Sequence, residues 1–242
     1  DSSPITIDNA GFEGLRIGYT LDYGTFPIES GVAKVFLDTI ETLREMEIDL
    51  VPIDRPLPYQ QEDLSALWCR QIMLSNVATV ESFLEADVDI LNENLGVLPD
   101  VYVGWLEQVR GHSLKEILND YNMRSVLIDY FERLFVDVDL VLTPTVAAQA
   151  VPNAAQDGMT FGPSVINGVA VDPSIGWCLT YLTNFTGHAA ASLPLNLHDG
   201  LPVGMQVMGS RFGDSDVLRF AAAFERIHPW SDTYAVPAAR DV

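Results

Sequence analysis

The spacing of apolar residues changes twice in the first quarter of the chain. Leu15 to Thr20 is a short run of strand type that leads into a loop containing glycine and proline. From Ser30 to Glu47 the apolar residues recur every three or four positions, which predicts an amphipathic helix. A second apolar run, Ile48 to Ile53, stops at Asp54 and Pro56. Strand, helix and strand in this order predict a βαβ unit with a right-handed crossover.

The middle of the chain has helical periodicity. Segments 59–86, 100–110 and 113–135 each keep apolar residues on or near one face. Ser113, followed three residues later by Glu116, is a capping-box pattern that fixes the start of the last of these helices.

A buried strand follows these helices. Residues 139–145 are almost wholly apolar and include Pro144, a pattern typical of a strand covered on both faces in an α/β sheet. This places Thr145 at the carboxyl end of a strand. Segment 146–173 lacks a sustained period and is predicted to be a loop, and loops of this length in compact domains are usually functional or mobile.

The last part of the chain predicts a helix, a hairpin and a helix. A short helix is expected over 175–185, followed by Gly187. Strands 191–197 and 201–209 flank an Asp199-Gly200 turn, which is a strong hairpin signal. The final helix covers 214–227, with Asp214 as its expected N-cap.

Composition narrows the classes of partner. The chain has 242 residues, with 13 basic against 34 acidic side chains and a net charge of -21. Unaided binding to nucleic acid or to an anionic membrane is therefore not expected. The acid excess suits either a haloadapted surface or an ordinary acidic protein. No apolar run reaches the length of a membrane span and no targeting segment is visible, so we expect a cytoplasmic protein.

Residue spacing alone supplies no complete active site. The four histidines lack metal-ligand spacing, and Cys69 and Cys178 lie far apart in apolar patterns that predict buried free thiols. The chain contains no G-x-S-x-G elbow, no Walker loop and no G-x-G-x-x-G. We therefore expect neither a metal nor a cofactor.

Three strings in sequence order carry a family resemblance. They are 139–145 (DLVLTPT), Asn184-Phe185-Thr186-Gly187 with Ser192-Leu193-Pro194, and 199–209 (DGLPVGMQVMG). Together they resemble the carboxyl-terminal half of the amidase signature family, with further similarity through Phe212, Asp214 and the last helix and back to Leu15–Gly18. One departure is Ala189, where relatives commonly have proline.

The resemblance implies an α/β fold in which a mixed sheet lies between helical layers. Residues 1–242 would be the carboxyl-terminal half of one amidase-signature domain, completed by an amino-terminal half on another chain. In the family a Ser, cis-Ser, Lys triad and a backbone oxyanion hole hydrolyse carboxamides, and all three catalytic residues lie in the other half. The resemblance thus assigns no catalytic residue to this chain.

Loops at the carboxyl ends of strands form pocket walls in α/β sheets, so four residues become candidates for substrate binding. They are Thr145, Val146, Trp177 and Tyr181, although Trp177 and Tyr181 equally suit ordinary core packing. The expected partners are the amino-terminal half and a small-molecule amide, and the assembled enzyme could form a homodimer. An apolar, aromatic wall favours an aryl or alkyl amide over a charged one.

Two other functions remain open at this point. The chain could be a noncatalytic, amidase-like scaffold subunit, which only a partner chain would exclude. It could also be a small-molecule-binding α/β domain of the solute-binding type, as the opening βαβ unit suggests.

Overall fold

The computed structural model describes residues 11–86, 88–89, 98–152 and 161–230. Its strands are β1 (Ile17–Tyr19), β2 (Leu50–Pro52), β3 (Leu140–Pro144), β4 (Val165–Ile166), β5 (Val169–Ala170), β6 (Ala190–His198) and β7 (Leu201–Gly209). Its helices are α1 (Ser30–Glu45), α2 (Gln61–Glu85), α3 (Asp100–Arg110), α4 (Leu114–Leu134), α5 (Tyr181–Thr186) and α6 (Asp214–Ile227).

Five strands form one mixed sheet in the order β2-β1-β3-β7-β6. β1 is parallel to both β2 and β3, so the predicted βαβ unit is confirmed as two parallel neighbours joined through α1. β7 is antiparallel to β3 and pairs Gly209 with Leu140, and β6 is antiparallel to β7. Helices flank this sheet, which confirms the expected fold class.

The register gives the sheet two ends. At the upper end β1, β2 and β3 finish, so Thr145 lies there. At the lower end these three strands begin and β7 finishes, and the amide of Asp139 donates to the carbonyl of Arg16 there (2.8 Å). All five residues of β3 are buried, as its apolar sequence predicts.

Helix ends show where local sequence decides structure. The Ser113–Glu116 capping box is confirmed: the Ser113 amide donates to Glu116 Oε2 (2.8 Å), and Ser113 Oγ accepts from the Glu116 amide. The Ser113 hydroxyl also donates to Glu116 Oε2 (2.7 Å), and the hydrogen bonds that this carboxylate accepts from the Ser113 hydroxyl and amide lower the pKa of Glu116. The prediction of Asp214 as an N-cap is wrong, because Gly213 holds that position and its carbonyl accepts from the Val217 amide (3.2 Å).

The hairpin prediction is also confirmed. Asp199 and Gly200, between β6 and β7, both have positive φ (49° and 79°), the geometry of a tight type I′ turn. A left-handed Gly187 closes α5 as its C-cap.

The predicted loop over 146–173 is more ordered than its composition suggests. It contains the β4–β5 hairpin, whose Asn167-Gly168 turn also has two positive φ angles. The side-chain amide of Asn167 donates to the carbonyl of Ile28 (2.6 Å) and so fixes this hairpin to the loop before α1. Residues 153–160 of the segment lie outside the described residues.

The helix predicted over 175–185 begins later, at Tyr181. The carbonyl of Trp177 accepts a hydrogen bond from the Ala147 amide (2.7 Å). This carbonyl therefore bonds to another segment of the chain and not to an amide of a helix. A tertiary contact, invisible to local periodicity, shortens the helix.

The main core lies around the sheet, and a smaller second one joins α2 to α3. Met73, Val80, Leu106 and Val109 form this second cluster. Arg70 on α2 makes a bidentate ion pair with the buried Asp120 on α4 (2.8–3.1 Å), which ties the helical layer together. Within the described part of the chain, no helix is both long and apolar enough to cross a membrane.

Candidate functional site

The upper end of β3 meets the segment that precedes α5. Val146 forms an antiparallel bridge with Cys178, and the Ala147 amide donates to the carbonyl of Trp177. Val146 and Trp177, two of the predicted pocket residues, are therefore neighbours although 31 positions separate them in sequence. Both side chains are partly buried and keep part of their surface accessible.

Trp177 is held in a fixed position. Its indole Nε1 donates to the carbonyl of Pro173 (3.1 Å), and the same carbonyl accepts from the Gly162 amide (2.8 Å). A Cβ added to Gly162 would lie 2.0 Å from Nε1, so only glycine fits against this edge of the indole. One edge of the indole is therefore fixed by a hydrogen bond and by close packing.

Thr145 takes part in a second arrangement on the sheet itself. Its Oγ1 lies 2.7 Å from Ser192 Oγ, across the backbone of Gly204 on the strand between them. A Cβ on Gly204 would approach Thr145 Oγ1 to 2.8 Å, so the hydroxyl pair depends on this glycine. The pair is exposed on one face of the sheet.

Tyr181 lies elsewhere. It is 1% exposed and stacks on Trp68, with the rings of Phe26 and Phe185 close by. Burial raises the pKa of its hydroxyl, which has no hydrogen-bond partner among the described residues. Of the two interpretations that the sequence left open for Tyr181, its position supports core packing.

The cysteines are free thiols, as predicted, but differ in exposure: Cys69 is buried and Cys178 is only partly buried. Burial raises the pKa of each to about 11, so both stay protonated at neutral pH. Neither is therefore an activated nucleophile. Among the described residues no group of His, Cys, Asp and Glu could hold a metal ion.

Sequence reasoning missed Ser192, Gly204 and Gly162 as parts of this site. Ser192 and Gly204 lie in the strings that carry the family resemblance. The sequence therefore marked these two positions but did not indicate what they do. Nothing local distinguishes Gly162, whose importance comes from the indole that packs against it.

Comparison with known proteins decides the family. The family model described as Amidase matches residues 4–218, which is most of the chain. The chain belongs to the amidase family. This membership replaces the solute-binding interpretation of the opening βαβ unit.

The relatives of this amidase-family chain are about twice its length. The solved structure of a bacterial aryl acylamidase of the amidase signature family is 40% identical, with a TM-score of 0.92 over 97% of this chain and 48% of that one. An acylamidase of Rhodococcus erythropolis is 23% identical over 96% of this chain and 46% of its own length. A glutamyl-tRNA(Gln) amidotransferase component from Streptococcus agalactiae is 25% identical over 88% of this chain and 44% of its own length. The chain thus spans about half the length of the curated relatives it matches.

Proposed function

We propose that this chain is the carboxyl-terminal half of an amide hydrolase. The other half, called the complementary half below, is the amino-terminal part that carries the Ser, cis-Ser, Lys triad. This chain completes the sheet and lines the substrate pocket, and the described parts of segment 146–173 border the entrance. The similarity to the aryl acylamidase carries the proposal, because it spans 97% of this chain and 48% of that enzyme.

The exposed part of one sheet face supports a missing partner. Its residues on β6 and β7 are Ala190, Ser192, Pro194, Pro202 and Gly204, none of them charged, whereas Gln206 and Met208 on the same face are buried. A sheet face that meets water normally carries polar and charged side chains. This protein has 34 acidic residues and places none at these positions. Small residues instead allow another backbone to approach closely, as the complementary half would.

The nucleophile is expected outside this chain. The hydrogen-bond partner of Ser192 Oγ is the Thr145 hydroxyl, which is not a base, and an unactivated serine is a weak nucleophile. Lys34, which could in principle serve as a base, pairs with Asp38 on the surface of α1 (2.6 Å). The triad of the complementary half supplies the activated serine, and backbone amides there stabilise the oxyanion.

The substrate class is an aryl acylamide. Thr145, Val146 and Trp177 form the wall that this half contributes, and a rigid indole suits an aromatic ring. The 40% identical relative bears the name aryl acylamidase, which agrees with this wall. The net charge of -21 disfavours a tRNA-linked substrate unless another subunit binds the RNA.

Reconstitution tests the assignment. The complementary half of the bacterial aryl acylamidase, ending before the residue that superposes on Gly11, is prepared separately and mixed with this chain. Release of 4-nitroaniline from 4-nitroacetanilide is expected from the mixture and from neither part alone. Turnover by this chain alone would contradict the proposal, and a stable complex that hydrolyses no amide would favour the scaffold function.

Active-site labelling locates the nucleophile. A fluorophosphonate traps an activated serine, so peptide mass mapping of the labelled mixture should find the adduct on the complementary half. An adduct on Ser192 or on any other serine of this chain would refute the assignment.

Substitution of Trp177 tests the wall. Trp177→Ala in the active mixture should change the ratio of kcat/KM values between aryl and alkyl acylamides, because only substrates that touch the indole lose binding energy. Tyr181→Phe, a buried neighbour in sequence, serves as the control and should leave this ratio unchanged. An equal loss of kcat/KM on every substrate would show that Trp177 acts only in packing.

A further inference from the structure

The indole of Trp177 is bounded by the hairpin that contains β4 and β5. Pairing continues beyond these two short strands, because the Val171 amide donates to the carbonyl of Ser164 (3.0 Å) and the Gly162 amide donates to the carbonyl of Pro173 (2.8 Å). Gly162 therefore lies at the open end of this hairpin. At that end it meets the edge of the indole that carries Nε1.

The hairpin is itself fixed to the core. Ile166 on β4 is 4% exposed and Val171, which follows β5, is 6% exposed. At the turn the side chain of Asn167 donates to the carbonyl of Ile28 (2.6 Å). Because its turn and its middle are both held in a close-packed interior, the hairpin cannot move away from the indole without losing these contacts. Gly162 is thus a fixed boundary for the ring.

The main chain of Trp177 is held by a second close contact. Gly176, the preceding residue, packs against the start of α2, and a Cβ added to it would lie 2.6 Å from Gln61 Nε2 and 2.6 Å from the Asp172 amide nitrogen. Gln61 is 4% exposed, and its Nε2 donates to Oγ of the buried Ser65 (2.9 Å), so this side chain is held in place. Pressure on the ring edge therefore moves the ring of Trp177 rather than its backbone.

A side chain at position 162 would displace the ring. The added Cβ would lie 2.0 Å from Nε1 and 2.5 Å from Cδ1 and Cε2 of the indole, whereas ordinary contacts are 3.4 Å or more. The ring would have to move by more than about 1 Å to relieve this overlap. The hydrogen bond from Nε1 to the Pro173 carbonyl lies at the same edge and would be lost. Trp177 is only partly buried, which leaves room for such a movement.

We propose that Gly162 is a positioning residue that sets the selectivity of the pocket for aryl acylamides. Because position 162 carries no side chain, the indole occupies the place at which it contacts the aromatic ring of a substrate. Gly162 itself touches no substrate and acts through Trp177. This inference rests on the proposed function and adds to it a determinant of substrate choice outside the strings that carry the family resemblance.

Selectivity in the active mixture with the complementary half of the bacterial aryl acylamidase is the first measurement. Gly162→Ala should lower the kcat/KM for 4-nitroacetanilide about tenfold relative to that for N-hexylacetamide, because a displaced wall misplaces only a substrate that touches it. An unchanged ratio of the two kcat/KM values overturns the proposal.

Gly18→Ala is the matched control. A Cβ added to Gly18 would lie 2.8 Å from Ile53 Cδ1, so the same substitution crowds the chain there too, but within β1. The ratio should stay as in the unsubstituted chain. An equal change in both variants would show that crowding alone alters selectivity, which also overturns the proposal.

A double substitution shows whether Gly162 acts through the indole. Trp177→Ala removes the ring atoms that the new Cβ would strike, so Gly162→Ala added to it should change the ratio little further. A full further loss in the double variant would mean that Gly162 acts independently of Trp177, and the positioning role would be wrong.

The indole proton gives a readout that does not require turnover. In ¹H–¹⁵N spectra of this chain, the Nε1 signal of Trp177 is assigned by its absence in Trp177→Ala. Gly162→Ala should move this signal towards that of an indole in water, because the hydrogen bond to Pro173 is lost. A signal that does not move overturns the proposal, whatever the reconstituted enzyme does.

Asn167→Asp tests the same contact without a steric clash. Aspartate suits the tight turn but cannot donate to the Ile28 carbonyl, so the hairpin loses a contact with the core. The ratio of kcat/KM values should fall, by less than in Gly162→Ala. If Gly162→Ala does not fold, an unchanged ratio in Asn167→Asp overturns the proposal.

The outcomes separate this inference from the proposed function. If Trp177→Ala changes the ratio and Gly162→Ala does not, only the positioning role is wrong. If neither changes it, the aromatic wall of the proposed function is wrong, and the role of Gly162 with it. An unsubstituted chain that forms no active complex contradicts the proposed function itself.

Discussion

The two faces of the β6–β7 hairpin differ although they come from the same eighteen residues of strand. On one face, covered by α1 and α6, Leu193, Leu195, Met205 and Val207 are buried. On the other, Ala190, Ser192, Pro202 and Gly204 are small and at least partly exposed. The first face is covered by this chain along both strands, whereas the second keeps an exposed part beside the buried Gln206 and Met208. Under the proposed function, the complementary half covers that exposed part.

The covered face should be very sensitive to truncation. Phe220 on α6 is fully buried, packs edge to face with Phe12 (5.2 Å between ring centroids) and stacks with Phe224. Phe220→Ala should lower the free energy of unfolding by roughly 3–5 kcal/mol, because it leaves a cavity. Urea titration followed by circular dichroism measures the change. Ser192→Ala on the open face is the control and should change stability by less than about 1 kcal/mol; a similar loss for both variants would remove the contrast between the faces.

The open face should resist any gain in size. Gly204→Ala places a Cβ 2.8 Å from Thr145 Oγ1, and overpacking of this kind costs roughly 1–3 kcal/mol. Thermal unfolding of the isolated chain is the measurement.

Gly104→Ala is the matched control for that substitution. Nothing lies within 4 Å of a Cβ added to Gly104, inside α3, so alanine there should raise stability by up to about 1 kcal/mol. If both alanines act alike, the hydroxyl pair does not depend on Gly204.

The smallest expected effect concerns the lower part of the same face, which α4 does cover. His188 is buried between the rings of Phe131 and Phe135; its Nδ1 meets Thr186 Oγ1 (2.8 Å), and its Nε2 lies 3.9 Å from Glu132 Oε1. Burial lowers the pKa of His188, with Arg211 acting in the same direction and Glu132 against it. The unfolded chain therefore binds a proton more readily, and stability falls as pH drops below about 6.5.

A difference measurement isolates this histidine from the many carboxylates. Between pH 8 and 5, the unfolding free energy of the unsubstituted chain should fall more than that of His188→Gln, by at most about 1.4 kcal/mol per pH unit. Parallel curves for the two proteins would show that His188 does not titrate on unfolding.

Much of the fold could be predicted because local rules and tertiary structure agree. The buried β3, the Asp199-Gly200 hairpin and the capping box at Ser113 each depend on neighbouring residues, and each was confirmed. The start of α5 could not be predicted, since it depends on the contact between Ala147 and Trp177. The same holds for the order within 146–173, where Asn167 reaches the loop before α1.

The candidate site was only partly predictable for a similar reason. Position at the end of β3 was enough to single out Thr145 and Val146. Aromatic character could not separate Trp177 from Tyr181, because burial by α2 residues such as Trp68 makes the difference. The pairing of Thr145 with Ser192 depends on the order and register of the strands, which could not be predicted from the sequence.

Hydrogen–deuterium exchange tests the central claim most directly. Exchange of this chain is followed by mass spectrometry alone and with the complementary half of the bacterial aryl acylamidase. If that half covers the open face, peptides from β6 should become protected, since their free edge and exposed face are closed, while peptides from α1 and α6 should exchange as before. Unchanged exchange in β6 on formation of an active complex, or protection confined to α1 and α6, would contradict the account.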